Sequence, residues 1–268
     1  MTRISLSKIL MRSGLLCLLA AFILLPLVQT IFLSFIATKA HPEATVGSIG
    51  LVNYLNIFKS PVLVASLSNS LTYVILNVVL CLLAGLPAAY AFSRYRFIGD
   101  RHILLLLLTF RVTPPVSLSL PIFLLFAEFD LVNSPIGIGL VHCLFNIPIA
   151  IWILESFISE IPREFDETAF IDGYSLPRFF LTLLIPALAP GIAVAAFFCF
   201  IFSWVEVVFA RILTVTAGKP ITMAINALFS FQTDIGLVMA MTVFSLIPGI
   251  AMIYFVRNYI SKGFVVRL

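Results

Sequence analysis

Strongly apolar runs, separated by short polar breaks, succeed one another along the chain. Six of them, residues 14–36, 66–92, 103–126, 136–157, 187–210 and 236–256, reach the roughly 20 apolar positions a helix needs to cross a bilayer. The pattern predicts an all-α membrane protein with six transmembrane helices, forming a single transmembrane domain over residues 1–268. Residues 37–65, with Asn53-Tyr54-Leu55 among them, hold few runs long enough to cross and are expected to form an external loop. Arg3, Lys8 and Arg12 ahead of the first run imitate a secretory signal. The run exceeds the about 7–15 residues of a signal's apolar region, so a retained first helix is expected.

The long polar interruption is residues 161–186, IPREFDETAFIDGYSLPRFFLTLLIP. Pro162 suits a first helical turn, and Glu164, Asp166 and Glu167 place negative charge near a helix N-terminus. Gly173 suits the left-handed position that ends a helix, and Ser175 is a fair N-cap for the next one. Two short helices with a break are therefore expected at the membrane surface. Ile161, Phe165, Ala169 and Gly173 recur on one stripe at four-residue spacing, with Glu164, Glu167 and Ile171 on another side. The small Ala169 and Gly173 would let another protein approach closely; the alternative is a solvated helix lying on the interface.

Composition agrees with the spans. Of 268 residues, 62% are hydrophobic and 10% charged, against roughly half and a quarter in soluble domains. The net charge is +4, and its placement matters more than its size. Arg3, Lys8, Arg12, Arg94, Arg96, Arg101, Arg163, Arg178, Arg257, Lys262 and Arg267 fall in one set of loops, whereas Lys39, Lys59, Arg211 and Lys219 fall in the alternate set. The positive-inside rule puts both termini and the 161–186 segment in the cytoplasm. Basic residues split among short loops do not suit nucleic acid. Cys17, Cys81, Cys143 and Cys199 lie in apolar runs and are expected as small hydrophobes, with no disulfide and no metal site. His41, His102 and His142 show no ligand spacing and are expected in loop, interface and helix-packing roles.

Polar residues inside the spans are the candidate solute contacts. Arg111 lies deep in the third run, followed by Pro114-Pro115, whose missing donors free carbonyls that need other partners. A charge at that depth tends to face a bundle interior or watery cavity, which makes Arg111 a candidate for a translocation pathway. A structural ion pair or a snorkelling arginine is the alternative. Asn69, Asn77 and Asn146 could likewise line a path for a hydroxyl-rich solute or serve as interhelical glue. Glu206 is placed near the external mouth, close to Arg211, and Glu128 and Asp130 at a solvated loop edge. Gly218-Lys219-Pro220 lacks the earlier glycine and the Ser/Thr of a phosphate-binding loop.

Glu167-Thr168-Ala169, then Asp172-Gly173, then Leu184-Ile185-Pro186 resemble the EAA loop of ABC importer permeases. Thr168 stands where that family has its first alanine. Leu67-Ser68-Asn69-Ser70-Leu71 and Ala88 through Phe97 are also similar to the family, and the resemblance covers a core permease region of about 66–257. Val205 departs from the Trp-Asn-Glu often found there, and the tail at Lys262-Gly263-Phe264 is short. The lead-in Ile161-Pro162-Arg163, the stretch of residues 110–121 and the length together resemble the carbohydrate-uptake branch, in particular the smaller, maltose-type partner of a heterodimeric permease pair.

The resemblance implies a type I ABC importer permease fold with a cytoplasmic coupling helix in the 161–186 loop. Glu167, Thr168, Ala169, Asp172 and Gly173 are then the residues coupled to the ATPase. It implies a multi-pass protein of the bacterial inner membrane that imports a sugar, polyol or glycerol phosphate. Its implied partners are a second permease subunit, two ATPase subunits and an extracytoplasmic solute-binding protein. ATP and Mg would be bound by the ATPase partners, and this chain would carry no cofactor and no catalytic residue. The 211–234 loop would reach towards the binding protein or be a plain connector. A secondary transporter or channel acting alone would ordinarily show inverted repeats or an ionisable relay. A membrane-embedded enzyme would need a nucleophile paired with a base.

Overall fold

The computed structural model describes residues 6–39, 45–230 and 234–263. Arg3, His41, Phe231, Gln232, Phe264 and Arg267 lie outside the described residues, as do the side chains of Lys8, Arg101 and Lys262. The elements are α1 (Leu6–Ser34), α2 (Val52–Lys59), α3 (Pro61–Arg94), α4 (Asp100–Val112), α5 (Pro115–Glu128), α6 (Pro135–Ser159) and α7 (Arg163–Ile171). After them come α8 (Leu176–Phe179), a π-helical turn (Phe180–Leu184), α9 (Ile185–Ala187), α10 (Ala189–Trp204), α11 (Val208–Leu213), α12 (Ile221–Ser230) and α13 (Ile235–Gly263). Extended pairing among the described residues is limited to a bridge between Ile36 and Ile49.

Arg12–Ser34, Pro61–Arg94, Pro135–Ser159 and Ile235–Arg257 are each long and apolar enough to cross a membrane. The count reaches 6 when two bent helix pairs are each taken as one span. The third apolar run, expected as one helix, is broken, and its halves His102–Val112 and Pro115–Glu128 meet at 96°. Thr113 and Pro114 both precede a proline, which disfavours helical geometry, and they take ψ of 129° and 124°. The fifth run also differs from expectation. Its helix begins at Leu176 rather than at residue 187, runs to Ala187, and turns by 82° into Ala189–Trp204. Pro190 cannot donate to the Pro186 carbonyl one turn back, and Leu188 leaves helical geometry with ψ 5°.

The chain forms two compact units, Met1–Val64 with Ile225–Ile247 and Ala65–Ala224 with Pro248–Leu268. In the first, fully buried Asn53 donates to the carbonyls of Ser34 and Ile36 at 2.9 and 2.8 Å. The Ser34 carbonyl belongs to the open C-terminal end of α1 and needs such a donor, and Ile36 lies two residues beyond. Part of the expected external loop is thereby folded as α2. Asp234 caps α13 by accepting from Leu237 N at 3.2 Å, and the Thr38 hydroxyl donates to Asp234 at 2.8 Å while accepting from Gly236 N.

In the second unit α6 packs against α4 and α10, and α11 packs against α5 and α6. One core gathers Ile158, Ala169, Phe179, Leu184, Leu188 and Ala195, and another gathers Tyr73, Ile138, Phe145, Phe209 and Leu213. Gly191 lets α10 come close to α6, since a Cβ there would lie 2.7 Å from Phe157 Cγ.

Candidate functional site

α7 is a nine-residue helix whose two ends follow from its sequence. Pro162 occupies the N-cap position, and Glu164 and Asp166 lie in the first turn. At the other end Gly173 takes φ +83, with its N–H bonded to Phe170 O at 3.1 Å and the Tyr174 N–H bonded to Ala169 O at 3.0 Å. That pair of bonds is a Schellman motif, which satisfies carbonyls left open at a helix C-terminus. The expected glycine stop is present.

The inner and outer faces of α7 are assigned differently from the sequence expectation. Ala169 is 4% exposed and Asp166 6%, with Ile161 and Phe165 packed inward beside them. Their seat is Phe179, fully buried, whose ring lies 6.0 Å from Phe165 and 5.2 Å from Phe170. Ala169 is therefore not an approach surface for another protein; it is small because the helix lies close on its own chain's core. Glu164, Glu167, Thr168, Asp172 and Gly173 are exposed, together with Ile171 at 85%. A Cβ built on Gly173 would meet nothing within 4 Å.

Asp166, expected only as a charge near the helix N-terminus, has its main partners on another span. Arg94 Nε donates to Asp166 Oδ2 at 2.7 Å and Arg94 Nη2 to Oδ1 at 3.2 Å, with both side chains 8% exposed. Arg94 Nη2 also donates to Ile161 O at 3.0 Å, and the Tyr90 hydroxyl donates to Asp166 Oδ2 at 2.9 Å. The last turns of α3 are thereby fixed to the first turn of α7. The available signal was an arginine at the end of one span and an acid opening the loop helix.

The polar residues singled out within the spans fall into separate groups. Asn77 and Asn146 are buried and bonded to each other, Nδ2 of Asn146 donating to Oδ1 of Asn77 at 3.2 Å. Asn77 Nδ2 donates to Cys199 O at 3.1 Å, and the thiols of Cys81 and Cys143 donate to Asn77. α3, α6 and α10 thus share one polar knot, the geometry of interhelical glue. Glu206 is taken up by neighbours other than Arg211. It accepts from the backbone N–H of Phe209 and Ala210 at 2.9 and 3.0 Å and lies 3.4 Å from His142 Nε2. His142 Nδ1 is 2.6 Å from Ser203 Oγ, so the histidine has the helix-packing role expected of it.

Arg111 sits at the α4/α5 break with its guanidinium carbon 4.1 Å from the centroid of the Phe202 ring. It is half-buried, and among the described residues it has a ring rather than a carboxylate as neighbour. Asn69 is half-buried and donates to Lys219 O at 3.2 Å. The Tyr73 hydroxyl bonds to Gly218 O, and Ser70 Oγ accepts from Ile221 N at 2.8 Å.

The sequence profile described as "Binding-protein-dependent transport system inner membrane component" matches residues 81–266, a span that takes in the α7 loop and both bent pairs. The chain belongs to that family. The permease is 28% identical over 252 residues to the trehalose transport system permease protein SugB of Mycobacterium tuberculosis, covering 92% of each chain. It is 30% identical over 218 residues to the trehalose/maltose transport system permease protein MalG of Thermococcus litoralis, covering 80% of the permease and 78% of that protein. Its fold matches, with TM-score 0.77 and 22% identity, a chain of the crystal structure of a bacterial ABC transporter involved in alginate import, covering 97% of the permease and 99% of that chain. The expected type I ABC importer permease fold is borne out.

Proposed function

We propose that this permease is one transmembrane subunit of an ATP-driven importer that carries a sugar, polyol or related hydroxylated solute into the cytoplasm. The observation that carries the proposal is α7, a short helix bolted to its own core on one side and presenting Glu167, Thr168, Asp172 and Gly173 on the other. The names of the trehalose and trehalose/maltose relatives support the solute class. The basic residues at the helix ends near α7, including Arg94, Arg96, Arg163 and Arg178, support a cytoplasmic position for it.

In this proposal two ATPase subunits bind ATP and Mg, a second and different permease chain completes the pathway, and an extracytoplasmic binding protein delivers solute. α7 seats in an ATPase subunit, Glu167 through polar contacts and Gly173 through its backbone shape. Closure of the ATPase pair moves α7, and the spans rock between inward and outward access. Arg111 and Asn69 line the pathway; Asn77, Asn146 and Glu206 hold its walls through the bonds they make. The α4/α5 break supports Arg111 in that role: Thr113 N–H takes the Phe110 carbonyl at 3.2 Å, while Pro115 cannot donate to the Arg111 carbonyl, which offers an acceptor for a hydroxyl-rich solute beside the guanidinium.

The test is the complex reconstituted with its ATPase and binding protein in proteoliposomes. Gly173→Asp, which puts a charged side chain on the exposed face that seats in the ATPase, is expected to abolish solute-stimulated ATP hydrolysis while leaving the chain membrane-inserted. Unchanged stimulation, or full solute flux without any ATPase subunit, would overturn the proposal.

A further inference from the structure

The α3 helix has 34 residues and so extends about 50 Å at 1.5 Å per residue, and it is fastened at its C-terminal end and again in its N-terminal half. At one end Arg94 and Tyr90 hold Asp166 of α7. In its N-terminal half Asn69, Ser70 and Tyr73 hold the backbone of Lys219, Ile221 and Gly218. Between them Pro87 removes the donor to the Leu83 carbonyl, which would weaken the rod. The weak turn is backed by α6, because Gly85 lies so close that a Cβ there would be 3.3 Å from Ala150 Cβ. Asn77 adds a second tie to α6 and α10.

We propose that Arg94 is the positioning residue that makes α7 and α3 one moving body, so that displacement of α7 reaches the 218–221 segment held by the N-terminal half of α3. The proposal rests on the importer function and deepens it by naming where motion enters the spans. Two features favour a transmitting role over a general structural one. The pair is bidentate and buried, and the planar guanidinium fork transmits orientation as well as distance. The same guanidinium also holds Ile161 O at 3.0 Å, so the loop leading into α7 and the helix itself are gripped together. A lysine would keep the charge and lose the fork.

The experiment uses the complex reconstituted with its ATPase subunits. An environment-sensitive fluorophore is placed on Lys219→Cys in a Cys17→Ser background, since Cys81, Cys143 and Cys199 are buried. The wild-type signal is expected to change on trapping with ATP, Mg and vanadate. In R94Q and in D166N that change is expected to fall about tenfold, with ATP hydrolysis by the partner subunits altered less than about twofold, and in R94D/D166R it recovers by more than about half. R94K, which keeps the charge if the neutral variants do not assemble, is expected to assemble and still lose most of the signal. A full signal in assembled R94Q or R94K, or no recovery in the exchanged pair, would overturn the role of Arg94 alone. A wild-type complex that hydrolyses ATP on solute addition yet shows no ATP-dependent signal at position 219 would overturn the transmission to residues 218–221, whereas full solute flux without any ATPase subunit would overturn the importer function on which it rests.

Discussion

The side-chain amide of Asn146 on α6 donates to the side-chain oxygen of Asn77 on α3 at 3.2 Å, with both residues buried. Asn77 then passes a second bond to Cys199 O on α10 at 3.1 Å. In hydrocarbon these amides have no water to fall back on, so each bond closes a polar group that would otherwise be stranded. Three spans are joined by two side chains. Asn77→Leu is therefore expected to destabilise the permease by about 1 kcal/mol, and Asn146→Leu by somewhat less, because Asn77 keeps its bond to Cys199 in the latter. Thermal unfolding of the solubilised complex reads the loss. Solute KM is expected to stay unchanged, and a large KM shift without a stability change would return the pair to the pathway.

Phe179 is the buried seat of α7. Phe179→Ala is expected to cost about 3–5 kcal/mol locally through the cavity it leaves. The measurable result is poor retention of ATPase subunits during purification and faster proteolysis between residues 161 and 175. Phe179→Leu fills more of the space and is expected to retain most of the assembly.

At Gly173 space and backbone pull apart, since φ is +83 and a Cβ has no neighbour within 4 Å. Strain, not collision, ranks the variants. Asn tolerates the left-handed region, Ala is penalised by about 1–2 kcal/mol, and β-branched Val by more. Solute-stimulated ATPase is expected to fall in the order Gly, Asn, Ala, Val. A flat series would show that the helix stop does not matter to the ATPase contact.

Arg111 and Phe202 form a stacked cation and ring, with 4.1 Å from guanidinium carbon to ring centroid. Removing either is expected to cost about 1 kcal/mol of positioning, seen as about a fivefold rise in transport KM for Arg111→Gln and a smaller rise for Phe202→Leu. Initial-rate uptake in proteoliposomes measures both. An unchanged KM in Arg111→Gln would remove it from the solute pathway.

The neutral variants of the α3–α7 clamp carry a further expectation at equilibrium. Asp166→Asn leaves Arg94 buried with its charge uncompensated, so it is expected to be less stable than Arg94→Gln combined with Asp166→Asn, where both charges are gone. Unfolding midpoints of the two complexes test the ordering.

Several elements were legible in the chain. A run of apolar residues carries its own reason to be helical in a membrane, and Gly173 carries its own reason to end a helix, so both were placed without tertiary information. The bends were half legible. Pro114 and Pro115 announced a disturbance, but whether two proline-broken halves stay in line or fold to 96° depends on what each half packs against. Residues 37–65 looked like a loop because no long apolar run occurs there, yet Asn53 supplies donors to carbonyls 19 and 17 residues earlier and gives α2 a place to sit.

Sequence by itself determined the membrane class, the positions of the apolar runs, the short helix in the 161–186 loop and its stop at Gly173. Each of these follows from composition or from interactions between residues a few positions apart. Tertiary structure alone decided which face of α7 is free, that Asp166 belongs to Arg94 across 72 positions, and that Asn77, Asn146 and Glu206 are bonded to their neighbours. A buried polar group is satisfied by whichever partner the fold brings within about 3 Å, and separation along the chain carries no record of that distance.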